Sequence, residues 1–99
     1  MSHIVVWSPH ALECVRHLYN FLAGKDIDAA KAAATRIMQH AELLEKFPQA
    51  GRPADDLEAE HRELLIPFGG AGYVLLYHFA ESGDTLTILA IRHQKDVGY

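Results

Sequence analysis

The spacing of apolar residues along this chain switches between two periods, and each switch marks an element. Ile4-Val5-Val6-Trp7 is nearly continuous and predicts a short strand from His3 to Trp7. Ser8-Pro9 then opens a helix. The serine can cap free N–H groups, and proline fits the first turn, where its missing donor costs nothing. Leu12, Val15, Tyr19 and Leu22, joined by Ala11 and Leu18, recur at helical spacing to about Ala23, and Gly24 is a plausible stop. Asp26 or Asp28 caps a second helix, which ends near Phe47 because Pro48 cannot continue it. Its apolar face is mostly alanine (Ala30, Ala33, Ala34, Ala41, with Ile37, Met38 and Leu44), so the two helices should pack as a tight antiparallel hairpin.

Beyond Pro48 the period changes to two. Pro48-Gln49-Ala50-Gly51-Arg52-Pro53 reads as a loop. Leu64, Ile66 and Phe68 alternate within Glu60–Phe68. Tyr73, Leu75, Tyr77 and Phe79 share one face of the next run, with Val74, Leu76 and His78 on the other. Thr85 to Arg92 is the last strand. The turns between them are Gly69-Gly70-Ala71-Gly72 and Ser82-Gly83-Asp84. The order β-α-α-β-β-β predicts an α+β fold, a helical hairpin packed on a mainly antiparallel sheet. The other face of that sheet is left partly open for a partner.

Ninety-nine residues suit a single domain, residues 1–99. Apolar residues are 49% and charged residues 22%, which fits an ordinary globular protein, and no run approaches the ~18 apolar residues of a membrane-spanning helix. The single cysteine, Cys14, excludes an internal disulfide. With an N-terminus unlike a signal peptide, it points to the cytoplasm and away from a membrane. Net charge is −4, and Asp55, Asp56, Glu58, Glu60 and Glu63 crowd one segment, the opposite of the balance a phosphate clamp needs.

Candidate chemistry gathers late in the chain. The apolar run Ile88-Leu89-Ala90-Ile91 stops at Arg92-His93-Gln94-Lys95, and the chain closes on Tyr99. Arg52, Arg62, Arg92 and Lys95, with His93, are candidates to converge at one end of the sheet. Seven histidines show no pair at the three- or four-residue spacing that puts two ligands on one helix face, so no metal is expected. Cys14, mid-helix, reads as a buried structural thiol, and Trp7 as core.

Several of these segments together resemble the RelE/ParE superfamily of toxins from type II toxin–antitoxin modules. They are Trp7-Ser8-Pro9, Phe47-Pro48-Gln49-Ala50-Gly51-Arg52-Pro53, Arg62-Glu63-Leu64 with Ile66-Pro67-Phe68, Tyr73-Val74-Leu75-Leu76-Tyr77 and Ile88-Leu89-Ala90-Ile91-Arg92-His93. The likeness covers nearly the whole chain. The superfamily divides into ribosome-dependent ribonucleases and ParE-like poisons of DNA gyrase. The ribonuclease branch commonly has an arginine in its central strand, where this chain has Tyr73-Val74-Leu75, and some members have a glutamate where this chain has Ala54.

Those departures and the acidic balance favour the ParE-like branch. It implies a protein that acts by binding, with Arg52, Arg92, His93, Lys95 and Tyr99 facing the gyrase–DNA target. It also implies a ParD-like antitoxin partner, a hetero-oligomer with it, and no cofactor. Leu12, Val15, Tyr19 and Leu75 are the expected antitoxin contacts. The alternatives are an mRNA interferase with Arg52, Arg62, Arg92 and His93 around the scissile phosphate, and a non-toxic antitoxin-binding module of the same fold.

Overall fold

The computed structural model describes residues 3–54, 57–58, 60–80 and 82–96. Strand β1 (Ile4–Trp7) leads into helices α1 (Pro9–Ala23) and α2 (Ile27–Lys46). Strands β2 (Arg52–Pro53), β3 (His61–Phe68), β4 (Ala71–Phe79) and β5 (Thr85–His93) follow. The sheet order is β1-β5-β4-β3-β2, antiparallel except that β1 runs parallel to β5. This is the expected α+β architecture. The two-residue β2 is an addition, made from what the sequence presents as loop.

The helix ends follow their capping residues. Ser8 Oγ accepts the Ala11 N–H at 3.0 Å and donates to the Leu89 carbonyl at 3.1 Å, so one hydroxyl caps α1 and ties it to β5. Asp26, not Asp28, caps α2, its Oδ1 accepting from the N–H groups of Asp28 and Ala29. Ala11, Ala33, Ile37, Ala41 and Leu44 pack the hairpin onto the sheet face formed by Leu64, Ile66, Tyr73, Leu75, Tyr77, Phe79, Leu86, Ile88 and Ile91. Trp7 is half-buried against this core. Small side chains on both helices permit that close approach, and burying the larger ones drives it.

A bulge decides the faces of the last strand. Leu76 pairs with Ala90 but Tyr77 pairs with Ile88, so Leu89 is an extra residue in β5. Strict alternation from Leu86 and Ile88 would turn Arg92 inward. The bulge instead turns Ile91 and His93 to the helix side and Ala90 and Arg92 to the open side, where Ala90 packs with Leu76 and Ala54. The Ser8 hydroxyl holds the carbonyl of the bulged residue itself.

The exposed margin of β3 is protected. The Glu60 carbonyl accepts the Phe79 N–H, so even-numbered residues of β3 bond to β4 and odd-numbered ones point outward. β2 pairs only with Arg62 and Glu63. Above it stands Pro67, which has no N–H to offer and whose carbonyl accepts from Arg36 Nη1 at 2.8 Å.

Candidate functional site

The predicted basic set is divided by the sheet. On the open face Glu63 stands between two guanidinium groups, with Oε1 3.4 Å from Arg52 Nε and Oε2 3.9 Å from Arg92 Nη2. Arg52 is largely exposed, whereas Glu63 and Arg92 are mostly covered. Arg92 also donates through Nη1 to the carbonyls of Asp96 at 2.7 Å, His93 at 3.3 Å and Gln94 at 3.4 Å. Its role is to fasten the turn after β5. Lys95 sits exposed on that turn. The Gln94 N–H reaches the Gly72 carbonyl at 2.8 Å and closes the turn against the β3–β4 hairpin.

Arg62 does not join them. It lies on the helix side opposite Tyr77 and donates to the Gly51 carbonyl at 2.8 Å. The Tyr77 hydroxyl accepts from the Gly51 N–H at 2.9 Å and donates to the Pro48 carbonyl at 2.7 Å. Tyr77 is fully buried, and burial pushes its phenol above the ordinary value, partly offset by the Gly51 hydrogen bond and the positive charge of Arg62. Arg62 and Tyr77 thus hold the loop Pro48–Gly51 down. A Cβ at Gly51 would lie 2.7 Å from the Glu63 carbonyl and 2.8 Å from the Tyr77 ring, so this position needs glycine for space.

His93 is also separated from the arginines. It points to the helix side, edge-on to the Tyr73 ring with centroids 5.8 Å apart, and its Nδ1 accepts the Lys95 N–H at 3.1 Å. Burial raises the Tyr73 phenol above its usual range. Tyr99 lies outside the described residues, as do Asp55 and Asp56 of the acidic segment.

His93 borders a groove of about 980 Å³ between α1 and the β3–β4 hairpin. Leu18, Phe21, Leu22, Phe68, Tyr73 and Ile91 supply its apolar lining, and His10, Glu13, Cys14, His17 and Asp96 complete its wall. Cys14 is half-exposed on that wall, its Sγ 3.6 Å from His10 Nε2, which corrects the expectation of a buried thiol. α1 covers the core with one side only, so a cysteine one residue away from that side reaches the groove.

The antitoxin contacts expected from the sequence change as well. Leu75 is 0% exposed in the middle of the core, so no partner can reach it. Alternation in β4 assigned it a face correctly, but that face is the one α1 and α2 cover. Leu12 is exposed, and Val15 and Tyr19 are half-buried, yet none of the three lines the groove. The groove residues Phe21 and Phe68 were missed. The available signal was Phe21, a large aromatic one position off the predicted core stripe.

The open face carries further ionisable groups that spacing did not reveal. Glu63 lies between the two arginines because Arg52 and Glu63 are register partners. His61 and His78 are also register partners, rings in edge contact at 5.1 Å, and His78 Nε2 is 3.2 Å from Glu60. Among the described residues no three His, Cys, Asp or Glu side chains form a metal-binding group, and no helix is long and apolar enough to cross a membrane.

Comparison with solved structures returns the same architecture. The toxin–antitoxin system ParDE from the P. aeruginosa chromosome matches with a TM-score of 0.78 at 18% identity, covering 95% of this chain and 98% of that one. The RelBE2 toxin–antitoxin complex from Mycobacterium tuberculosis matches with a TM-score of 0.56 at 19% identity, covering 94% and 99%. At such identities the likeness is one of fold. No curated protein sequence gives a match. The family model for the ParE toxin of the type II toxin–antitoxin system parDE matches residues 5–98. With nearly the whole sequence inside that match, and with the helical hairpin and bulged sheet already described, the chain belongs to the ParE toxin family, within the RelE/ParE superfamily.

Proposed function

We propose that this chain, as one toxin domain, inhibits DNA gyrase by stabilising the cleaved gyrase–DNA complex, and that a cognate ParD-like antitoxin neutralises it. On this reading it acts in the cytoplasm by binding, with differential affinity for the cleaved intermediate as its whole contribution. Family membership supports the reading. The observation that carries it over the ribonuclease alternative is the separation of Arg52, Arg62, Arg92 and His93. Arg62 holds a loop on the covered side, His93 lies in the groove, and Arg52 and Arg92 flank a carboxylate on the open side. Phosphodiester cleavage needs a base and a cation around one phosphate.

The target surface in this reading centres on Arg52 and the Arg92-fastened turn with Lys95; Tyr99, expected there from the sequence, lies outside the described residues. The antitoxin lays an amphipathic segment along α1, over Leu12 and into the groove, and holds the toxin in a hetero-oligomer. The ParDE and RelBE2 structures are both of toxin–antitoxin systems, which is in keeping with such a partner.

A purified gyrase assay tests the target. The expected result is loss of supercoiling with accumulation of cleaved plasmid DNA, weakened when Arg52 and Lys95 are both changed to alanine. Unchanged supercoiling and intact DNA at a large excess of the chain would sink the proposal. Ribosome-dependent cutting of mRNA would replace it with the interferase reading.

A further inference from the structure

The sheet has two margins, and only one is guarded. At β3 the margin is screened by β2, Pro67 and Arg36. The opposite margin is β1, which pairs with β5 and among the described residues has no second neighbour. The Ile4 N–H reaches the Asp84 carbonyl at 2.9 Å, and the Ser8 N–H reaches the Ile88 carbonyl at 2.9 Å. Even-numbered residues of β1 therefore bond to β5, and Val5 and Trp7 turn their N–H and C=O groups outward. Among the described residues nothing bonds to those outward groups.

The usual protections of an edge are missing from β1. Ile4 to Pro9 contains no charged residue, and the strand keeps an unbroken register with Thr85–Ile88, without a bulge. Val5 and Trp7 pack toward the core, whereas Ile4 and Val6 stand exposed on the open side, at 61% and 43%.

The free stretch is bounded at both ends. The His3 N–H is already taken by the Glu45 carbonyl at 2.8 Å, and Pro9 has no N–H to give. Between these limits an added strand finds two residues to bond, Val5 and Trp7, placed evenly about Val6. That arrangement is complementary to itself. In an antiparallel second copy Val5 lies opposite Trp7, Trp7 lies opposite Val5, and Val6 faces Val6. Every outward N–H then meets an outward C=O.

We propose that β1 is an interface with a second copy of this chain, paired antiparallel about a two-fold axis at Val6, so that two sheets join into one. The axis stands perpendicular to the sheet. The open sides of both copies thus face the same way, and Val6 and Ile4 gain apolar cover. The pairing involves neither the groove nor the arginines of the target surface.

Analytical ultracentrifugation of the intact chain tests it. The weight-average mass should climb from 11.0 kDa toward twice that value between about 10 μM and about 1 mM, as befits so small a contact. Val6→Lys sets a charge against its own copy at an exposed position. It should hold the chain at monomer mass over the same range, with near-UV circular dichroism confirming the native fold. Disulfide trapping in a Cys14→Ser background reads the register. Val6→Cys places two thiols opposite each other in a closely spaced pair, whereas Ile4→Cys places its thiol opposite Ser8. With oxidised glutathione the first should crosslink at least about tenfold faster than the second. A monomer at every concentration, which would leave the edge to a foreign strand, overturns the proposal. So does association that survives Val6→Lys, or Ile4→Cys crosslinking as fast as Val6→Cys. Gyrase poisoning is measured separately, so failure here leaves that reading standing.

Discussion

On the helix-covered side of the sheet the polar groups of Tyr77 and Arg62 are turned to the protein's own backbone. Tyr77 and Arg62 bond the carbonyls and N–H of the Pro48–Gly51 loop, and aliphatic residues and rings fill the remaining space. On the open side Ile4, Val6 and Leu65 stay exposed, and Glu63 stands between Arg52 and Arg92. Both sides belong to the same sheet, and alternation and one bulge decide which residues fall on which. The covered side should govern stability and the open side recognition, because buried apolar contacts dominate folding whereas half-exposed ion pairs contribute little to it.

The sharpest way to break this comparison is a matched pair of truncations one register step apart on β4 and β3. Leu75→Ala empties a fully buried position and should cost about 2–5 kcal/mol, read from the urea midpoint. Leu65→Ala, 43% exposed on the open side, should cost less than about 1 kcal/mol. Equal losses would mean that the open side is not open in solution.

Gly51→Ala comes next. Its new methyl would press on the Glu63 carbonyl and the Tyr77 ring, and a loss of about 1–3 kcal/mol is expected. Unfolding titrations should show the midpoint moving without a change of slope.

Tyr77→Phe removes both loop hydrogen bonds and should cost about 1–2 kcal/mol at neutral pH. It also changes the alkaline limb. Burial raises the folded-state phenol above its unfolded value of about 10, so the unfolded chain ionises first as pH climbs. Stability from this group is intact below that value and is lost as pH rises toward the folded one. Thermal unfolding from about pH 9 to 11 should show a shallower decline in the variant, keeping the share due to Tyr73.

Glu63→Gln has the smallest expected effect on stability, about 1 kcal/mol or less, because Arg52 is solvated and Arg92 keeps its carbonyl partners. Its effect on gyrase poisoning should be several times larger in proportion, since it removes the charge that faces both arginines of the proposed surface. A variant that unfolds readily yet poisons normally would reverse the assignment of the two sides.

Local pattern made much of this molecule legible. The Ser8-Pro9 start, the alanine-rich face of α2 and the alternation in β4 each predicted an element that the structure contains, to within a residue or two. Family membership was readable too, because it rests on ordered segments along the whole chain. The site was less legible. Arg52, Arg62, Arg92 and His93 looked like one set, since basic residues near strand ends have no visible side. Leu75 looked like a contact residue, since its sequence position says nothing about which face the helices cover. Glu63 looked like one more charge of the acidic segment, because its place between two arginines comes from pairing across strands.

The sequence by itself determined the kind, order and approximate limits of the elements, which depend on capping, proline placement and apolar period within a few residues. Tertiary structure alone decided that β1 runs parallel to β5, which brings together residues more than eighty positions apart. It also decided that Leu89 is bulged, with its carbonyl held by Ser8 from the start of α1. One extra residue exchanges the two sides of everything beyond it. That exchange sends Arg92 to the open surface and His93 to the groove, and no local pattern encodes it.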